Sequence, residues 1–509
     1  MSFVSEPSKK KKFTVFLVLT LGVAVLILLG AVVFFPGIFR GRYPLSSRPN
    51  VLILTADTLR GDHVGWLGHK VPTTPNLDEF SKICFIFGAA YAPRGETAPS
   101  LASAFTGLYP SQHGVFDNHC LFPPGIQTLP LLASEAGYQT AAFVANKAVA
   151  PSKLARDFQV LRFTASSERA QWEDDEAAAA GAISFLRSLQ RRPFLLWVHF
   201  MDPHSPYEPG PEERGIFAQG VGGIDGSRET LEAITQKGIP ISKRKLRYVK
   251  ALYDEEILGT DKRVGRILSE VKALGLLKNT IVVFFSDHGE ELGDHHLYFF
   301  HQVSVYRQVL HVPLLWYIPG QLLQKRTEPR TIPRIPVSLV DIAPTIASFI
   351  GVSFSSKIDG RDLRPLFEGK NFFRKEVMAE YGTKITSVIT QRYHAIYNPE
   401  RFSPYGGPFP SPEERRRDPR LARIPRFVVK ERELYDILED PLEQEDIAQI
   451  ELSQWKELSK SIFAFRKTHP FRRPLRVGSQ AALRVLADLG YIQGPKKERK
   501  SKGKNSKRK

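Results

Sequence analysis

Cysteine is scarce in this sequence, with only Cys84 and Cys120 among 509 residues. That excludes a small disulfide-stapled scaffold. At 42% hydrophobic residues the chain is instead long enough to bury a large core, and it reads as one big domain with smaller appendages. Nothing in the spacing brings the two cysteines together, and both read as buried free thiols. Apolar and aromatic residues are absent from the C-terminal run "KKERKSKGKNSKRK" (Lys496 to Lys509), which holds much of the formal charge of +18 together with "KKKK" at Lys9 to Lys12. Without apolar residues the tail cannot pack, and without interleaved aromatics it cannot stack bases, so no nucleic-acid partner is expected. It reads as a solvated terminus, with contact to anionic lipid or anionic surface polymers as the second reading.

Charge is missing altogether from "FTVFLVLTLGVAVLILLGAVVFF", Phe13 to Phe35, a run of 23 residues. At about 1.5 Å per residue a helix of this length spans a hydrocarbon core of roughly 30 Å. The run is long for a signal peptide and no clear A-x-A site ends it, so an uncleaved single-pass membrane anchor is expected. Lys9 to Lys12 outweigh Arg40 and Arg42, which keeps the N-terminus cytoplasmic and places the bulk of the chain outside the cytoplasmic membrane.

Polar alternation is missing from "NVLILTAD" (Asn50 to Asp57), "TAAFVAN" (Thr140 to Asn146), "FLLWVHFMD" (Phe194 to Asp202) and "TIVVFFSD" (Thr280 to Asp287). Strands buried on both faces have this pattern, which predicts an α/β fold with a large, mostly parallel sheet covered by helices. "YVKALYDEEILGTDKRVGRILSEVKALGLL" repeats its apolar positions every three or four residues and fits a covering helix. Beyond about residue 375 the pattern changes to "SVITQRYHAIYN" and "RELYDILEDP", then to "LSQWKELSKSIFAFRK", predicting a small C-terminal antiparallel sheet with one packed helix. "YNPERFSPYGGPFPSPEERRRDPR" reads as a long loop within it. The expected organisation is a basic segment 1–12, an anchor 13–35, a linker 36–48, a catalytic domain 49–374, a C-terminal subdomain 375–492 and a basic tail 493–509.

The first and last of these runs end on Asp57 and Asp287. Ligands of open α/β sheets gather beyond the carboxyl ends of the strands, so Asp57 and Asp287 are expected in one crevice, with His288 beside them. Two carboxylates and an imidazole from distant parts of the chain suit a divalent cation. Either Asp alone also suits the start of a turn. The stretch "RGETAPSLASAFTGLYPSQHG" places Thr97 just before Pro99, which favours the first turn of a helix. Thr97 there is either an ordinary N-cap or a nucleophile at the anion-attracting end of the helix.

In combination, "NVLILTADTLRGDHVGWLG", "TTPNLDEFS", "TAPSLASAFTGLYPSQHGV", "WVHFMDPHSPYEP", "SDHGEELGDHH", "VYRQVLHVPLLWY", "ELYDILEDPLEQEDIA" and "LADLGYI" resemble, in order, the sulfatase family of the alkaline phosphatase superfamily. The resemblance implies one divalent metal ion (Ca, Mg, Mn or Zn) held by Asp57, Asp287, His288 and Thr97, with Thr97 at the family's nucleophile position. It places His113, His204 and His301 where the family holds the ester's oxygens or protonates its leaving group. It also implies an anionic ester substrate, carried by a lipid or a surface polysaccharide. Two things the family usually has are absent. Thr97 replaces the Cys or Ser that becomes formylglycine and Leu101 replaces an Arg, so the formylglycine route is closed; Thr58 replaces the second Asp of a pair. The smaller ligand set resembles the superfamily's phosphonate monoesterases and lipid-headgroup phosphotransferases, several of which use an unmodified Thr. Three functions are therefore weighed: a membrane-anchored, metal-dependent hydrolase of sulfate or phosphate esters through Thr97; a phosphotransferase or phosphodiesterase acting on headgroups; and a non-catalytic binding protein. The retained set Asp57, Asp287, His288, His113, His204 and His301 argues against the last.

Overall fold

A computed structural model describes residues 48–476 other than 153, 167, 190–191, 221–223, 238–240, 296, 303, 326, 404–406, 409–429 and 473. The expected anchor, its flanking basic segment, most of the Pro/Gly-rich loop, "LADLGYI" and the basic tail lie outside the described residues. Among the described residues no helix is long and apolar enough to cross a membrane.

The apolar runs do form the central strands: β1 (Asn50–Ala56), β3 (Gln139–Val144), β5 (Phe194–Phe200) and β6 (Thr280–Ser286). With β2 (Phe85–Phe87), β4 (Val160–Phe163), β7 (Leu314–Tyr317) and β8 (Thr331–Ile332) they make a sheet of eight described strands in the order β8-β2-β7-β6-β1-β5-β3-β4. β1 pairs in parallel with both β5 and β6, while β7 runs antiparallel to its neighbours β6 and β2. Every residue of β1, β5 and β6 is buried, as their lack of alternation requires. Each Val, Leu or Ile fully withdrawn from water there contributes about 1.5–3 kcal/mol.

Helices cover the sheet, among them α3 (Gln171–Ser188), which packs on β3 and β5. α2 (Thr97–Thr106) and α5 (Ile342–Ile350) share one core with Val51, Ile53, Val283 and Phe285. α4 (Lys243–Ala273) starts at the Ser242 cap, whose side chain accepts a hydrogen bond from the Lys245 amide, and it buries Val249, Leu252, Tyr253, Ile257, Val264, Ile267, Leu268 and Val271 along one stripe. α1 (Pro75–Ser81) is held to it by Asp261, which accepts hydrogen bonds from the Asn76 and Leu77 amides.

The predicted small sheet is present as β9 (Glu376–Tyr381), β10 (Ile385–Thr390), β11 (Tyr393–Tyr397) and β12 (Arg432–Asp436), antiparallel in that order. One face packs Met378, Val388, Ala395 and Leu434 against Trp455, Leu458, Ile462 and Phe465 of α6 (Leu452–Thr468). The other packs Val377, Ala379, Ile389 and Tyr435 against Tyr306 and Leu310 of the large domain. Cys84 and Cys120 are separate buried thiols.

Candidate active site

The register of the large sheet builds the site. Ala56 at the end of β1 lies opposite both Phe200 and Ser286, so Asp57 and Asp287 leave their strands at the same level. The chain then turns sharply. Thr58 takes φ 55, a left-handed conformation costly for a β-branched residue. In return its amide donates to Asp287 Oδ1 at 3.3 Å and its carbonyl accepts from the Tyr253 hydroxyl at 2.7 Å. After β6 the His288 amide donates to the same Oδ1 at 2.8 Å. At Gly289 a Cβ would fall 2.1 Å from the Gln308 carbonyl oxygen, so only glycine fits there.

These contacts leave Asp287 Oδ2 and Asp57 Oδ1 buried with no hydrogen-bond partner among the described residues. His288 Nδ1 donates to the Gly289 carbonyl at 2.9 Å, which turns the lone pair of Nε2 toward both orphaned oxygens, each 3.5 Å away. A neutral imidazole nitrogen facing two unpaired carboxylate oxygens is an arrangement a cation completes, and ligand atoms of Asp57, Asp287 and His288 all lie within 4.8 Å of one another. The electrostatics agree. Burial and the charge of Asp57 push Asp287 well above the usual carboxylate range. Burial works against the Asp57 carboxylate too, but its contact with His199 and the nearby His204 and His288 hold it below that range. The residues therefore fit a divalent metal ion.

Thr97 completes the cluster. It is the first residue of α2, behind a Glu96 cap in extended conformation, and its side chain caps nothing. Instead Oγ1 lies 3.3 Å from Asp57 Oδ2, to which it donates, and 3.5 Å from His288 Nε2. The helix start is satisfied elsewhere: the Ala98 amide donates to Asn118 Oδ1 at 2.8 Å, and the Asn118 amide donates to Glu96 Oε1 at 2.9 Å. Ser100 Oγ donates to the Asp287 carbonyl at 2.6 Å and ties α2 to the end of β6.

The structure brings His204 and His301 to this cluster. The His301 ring lies 4.5 Å from that of His288 and 5.2 Å from that of His204, and its Nδ1 is 3.2 Å from Glu290 Oε1. Burial lowers both imidazoles, His301 to about 4, and raises Glu290 to about 8. His113 is not brought in. Its Nε2 is 3.0 Å from Ser103 Oγ and its Nδ1 accepts from the Val115 amide at 3.1 Å, so both nitrogens are spent on local structure. A histidine seven residues past a helix carries no sequence mark of which way it will face.

Several neighbours escape sequence reasoning. Asn146 and His199 both contact Asp57 Oδ2, and Thr55 Oγ1 fixes the His199 ring at 2.8 Å. A signal for Asn146 existed, since it closes the apolar run Thr140 to Asn146 just past β3, as Asp57 and Asp287 close theirs just past β1 and β6. Arg94, buried over the Tyr381 ring and bonded to Glu96 Oε2 at 3.0 Å, adds a cation three residues before Thr97.

The sulfatase family model matches residues 49–352. The chain belongs to the sulfatase family of the alkaline phosphatase superfamily. Among its relatives it is 26% identical to an arylsulfatase of Clostridium perfringens over 64% of this chain and 79% of that one. It is 24% identical to an N-acetylglucosamine-6-O-sulfatase of Bacteroides thetaiotaomicron, over 64% and 72%. Among solved structures, a phosphonate monoester hydrolase of Agrobacterium radiobacter superposes with a TM-score of 0.62 at 19% identity, covering 83% of this chain and 96% of that one. A structure in complex with its substrate D-glucosamine-2-N,6-O-disulfate gives 0.64 at 22% identity, covering 83% and 98%. This sulfatase-family chain is accordingly a hydrolase of sulfuric or phosphoric esters.

Proposed function

We propose that this chain is a membrane-anchored, divalent-metal-dependent hydrolase of sulfate or phosphate esters that works through a covalent ester on Thr97. The observation that carries this reading is the convergence of Thr97 Oγ1, Asp57 and His288 Nε2 within 3.5 Å at the start of a buried helix. Asp57, Asp287 and His288, with the Thr97 oxygen, would hold the cation, whose positive charge eases loss of the Thr97 proton and offsets charge on the ester oxygens.

The chain's own groups divide the remaining work. Asp57 Oδ2 lies where the Thr97 proton leaves, at 3.3 Å. The oxygen of Thr97 bonds to the sulfur or phosphorus as the bond to the leaving alcohol breaks, while the N-terminus of α2 faces the developing negative charge. His301 donates a hydrogen bond to the ester or its leaving oxygen from Nε2, with Glu290 orienting its ring through Nδ1, and His204, whose Nδ1 proton is held by the Ser205 carbonyl, donates in its protonated form beside the bound anion. Water then attacks the Thr97 ester and regenerates the hydroxyl. Because Thr97 has no hemiacetal route for expelling the group, a direct second attack is required, which suits phosphoryl better than sulfuryl transfer. An alcohol replacing water would make the same site a phosphotransferase, a second reading supported by Thr97 and Leu101.

The anchor at 13–35 would keep this site outside the cytoplasmic membrane, facing lipid or surface-polysaccharide esters. Several relatives are named for sulfated sugars, which supports an anionic carbohydrate ester among the substrates. The test is turnover of an aryl sulfate, a phosphate monoester, a phosphate diester and a phosphonate monoester by the purified chain with each divalent ion. Turnover of none of them under any ion would overturn the reading.

A further inference from the structure

A second group of metal-ligating side chains lies apart from the Asp57, Asp287 and His288 set. It is built by the turns that follow β1. A short helical turn at Gly61–His63 and another at Gly65–Leu67, closed by Gly68 at φ 107, bring His63 and His69 together, with ring centroids 4.7 Å apart and planes tilted by 31°. Asp254 of α4 reaches the same point. His63 Nδ1 is 2.6 Å from Asp254 Oδ1, and His69 Nε2 is 3.5 Å from that same oxygen. One donor atom from each of the three side chains lies within 4.8 Å of the other two.

We propose that His63, His69 and Asp254 form a second cation site, distinct from the catalytic one and selective for a borderline transition-metal ion such as Zn²⁺ or Co²⁺. His69 Nε2 is a buried atom aimed at Asp254 Oδ1 from 3.5 Å, the far limit of hydrogen bonding, against 2.6 Å for His63 Nδ1. Hydrogen bonding therefore explains the His63–Asp254 contact but not the approach of the second ring. Two imidazoles that close would repel if both were protonated, whereas two neutral imidazoles and one carboxylate offer an N₂O face.

Donor chemistry separates the two sites. The catalytic set is mostly oxygen and accepts hard ions, whereas paired imidazoles favour Zn²⁺, Co²⁺, Ni²⁺ or Cu²⁺ over Mg²⁺ and Ca²⁺. The site is also supported and reachable. Thr73 Oγ1 donates to the His63 carbonyl at 2.6 Å and Thr74 Oγ1 accepts from the Gly65 amide at 2.9 Å, fixing both turns. The His69 side chain is 17% exposed, against 10% for His63 and 9% for Asp254, leaving an open side for water ligands and entry of the ion. Such an ion would pin residues 58–69 to α4 one residue from Tyr253, whose hydroxyl donates to the Thr58 carbonyl and accepts from the Arg60 amide at 3.0 Å.

Metal-stripped, tag-free full-length chain is titrated with Co²⁺ and with Zn²⁺, reading bound metal by elemental analysis and the visible absorption of bound Co²⁺. Wild type is expected to bind two equivalents of either ion but only one of Mg²⁺ or Ca²⁺. His69→Ala should weaken one Zn²⁺ equivalent by more than the roughly 100-fold that loss of an outer-sphere partner costs, and leave the other unchanged. Asp287→Asn should do the converse. His69→Gln serves if the Ala chain fails to fold. One Zn²⁺ equivalent in wild type that Asp287→Asn removes, or two that survive both His69 variants, overturns the proposal. One equivalent removed by His69→Ala but not by Asp287→Asn supports it and counts instead against metal binding at the catalytic set.

Discussion

Replacing Thr97 separates catalysis from stability. Its hydroxyl is fully buried, 3.3 Å from Asp57, and it caps no helix amide. Thr97→Ala therefore removes one long hydrogen bond to a carboxylate, at about 1–2 kcal/mol, which for a domain of this size lowers Tm by a few degrees at most. The cost in rate is of another order, because the attacking oxygen is gone: at least about 10³-fold in turnover, or roughly 4 kcal/mol of transition-state stabilisation. Thr97→Ser keeps the oxygen. It loses one buried methyl, about 0.8 kcal/mol, and the χ1 stiffness of a β-branched side chain. If the freed hydroxyl samples three staggered wells, about a third of the chains hold it in the attacking one, so activity should stay within roughly tenfold of wild type. The assay is initial rates on the best ester, with thermal midpoints measured on the same preparations. Intact mass after a rapid quench should show one sulfuryl or phosphoryl group on wild type and none on Thr97→Ala. Wild-type turnover by Thr97→Ala would refute the nucleophile and everything built on it.

The histidines near the site should divide: His301→Ala lowers kcat at least about tenfold with little loss of Tm, while His113→Ala lowers Tm by breaking the Ser103 and Val115 contacts and leaves kcat of the folded enzyme near wild type. A large kcat loss for His113→Ala in well-folded protein would contradict that division. His295 should make stability depend on pH. Burial opposes its charge, but Glu291 and Glu443 raise it from 6.5 to about 9, where it also stacks on Tyr306 at 3.9 Å. A raised folded value stabilises fully below about pH 6.5 and is lost as pH climbs through about 9, a change of about 3 kcal/mol. Denaturation midpoints across that window should fall in wild type and flatten in His295→Gln; equal slopes would show that His295 does not titrate there. Deleting residues 1–48 should release an active chain from the membrane fraction, and continued sedimentation of the shortened chain with membranes would count against the anchor.

The sequence by itself determined whatever depends on local pattern. Unbroken apolar runs specified β1, β3, β5 and β6, because a strand buried on both faces has no polar side. The aspartates ending the first and last of these runs, Asp57 and Asp287, located two carboxylates that fit a metal ion, since parallel strands present their carboxyl ends along one edge. Pro99 and Gly107 bracketed the helix that carries Thr97. The tertiary structure decided what depends on strand order and ring direction. Only pairing of β1 between β5 and β6 puts Asp57 level with Asp287 and brings Asn146 and His199 against it. On local pattern Thr97 reads first as a cap, until Asn118 is seen to take the Ala98 amide in its place. His113 ends a short helical turn, Pro110–His113, and His301 lies in a loop, and neither carries a local preference for facing the site. His113 turns back to Ser103 on α2, whereas His301 faces His204, which β5 delivers from a distant part of the chain, so the difference between them exists only in the folded molecule.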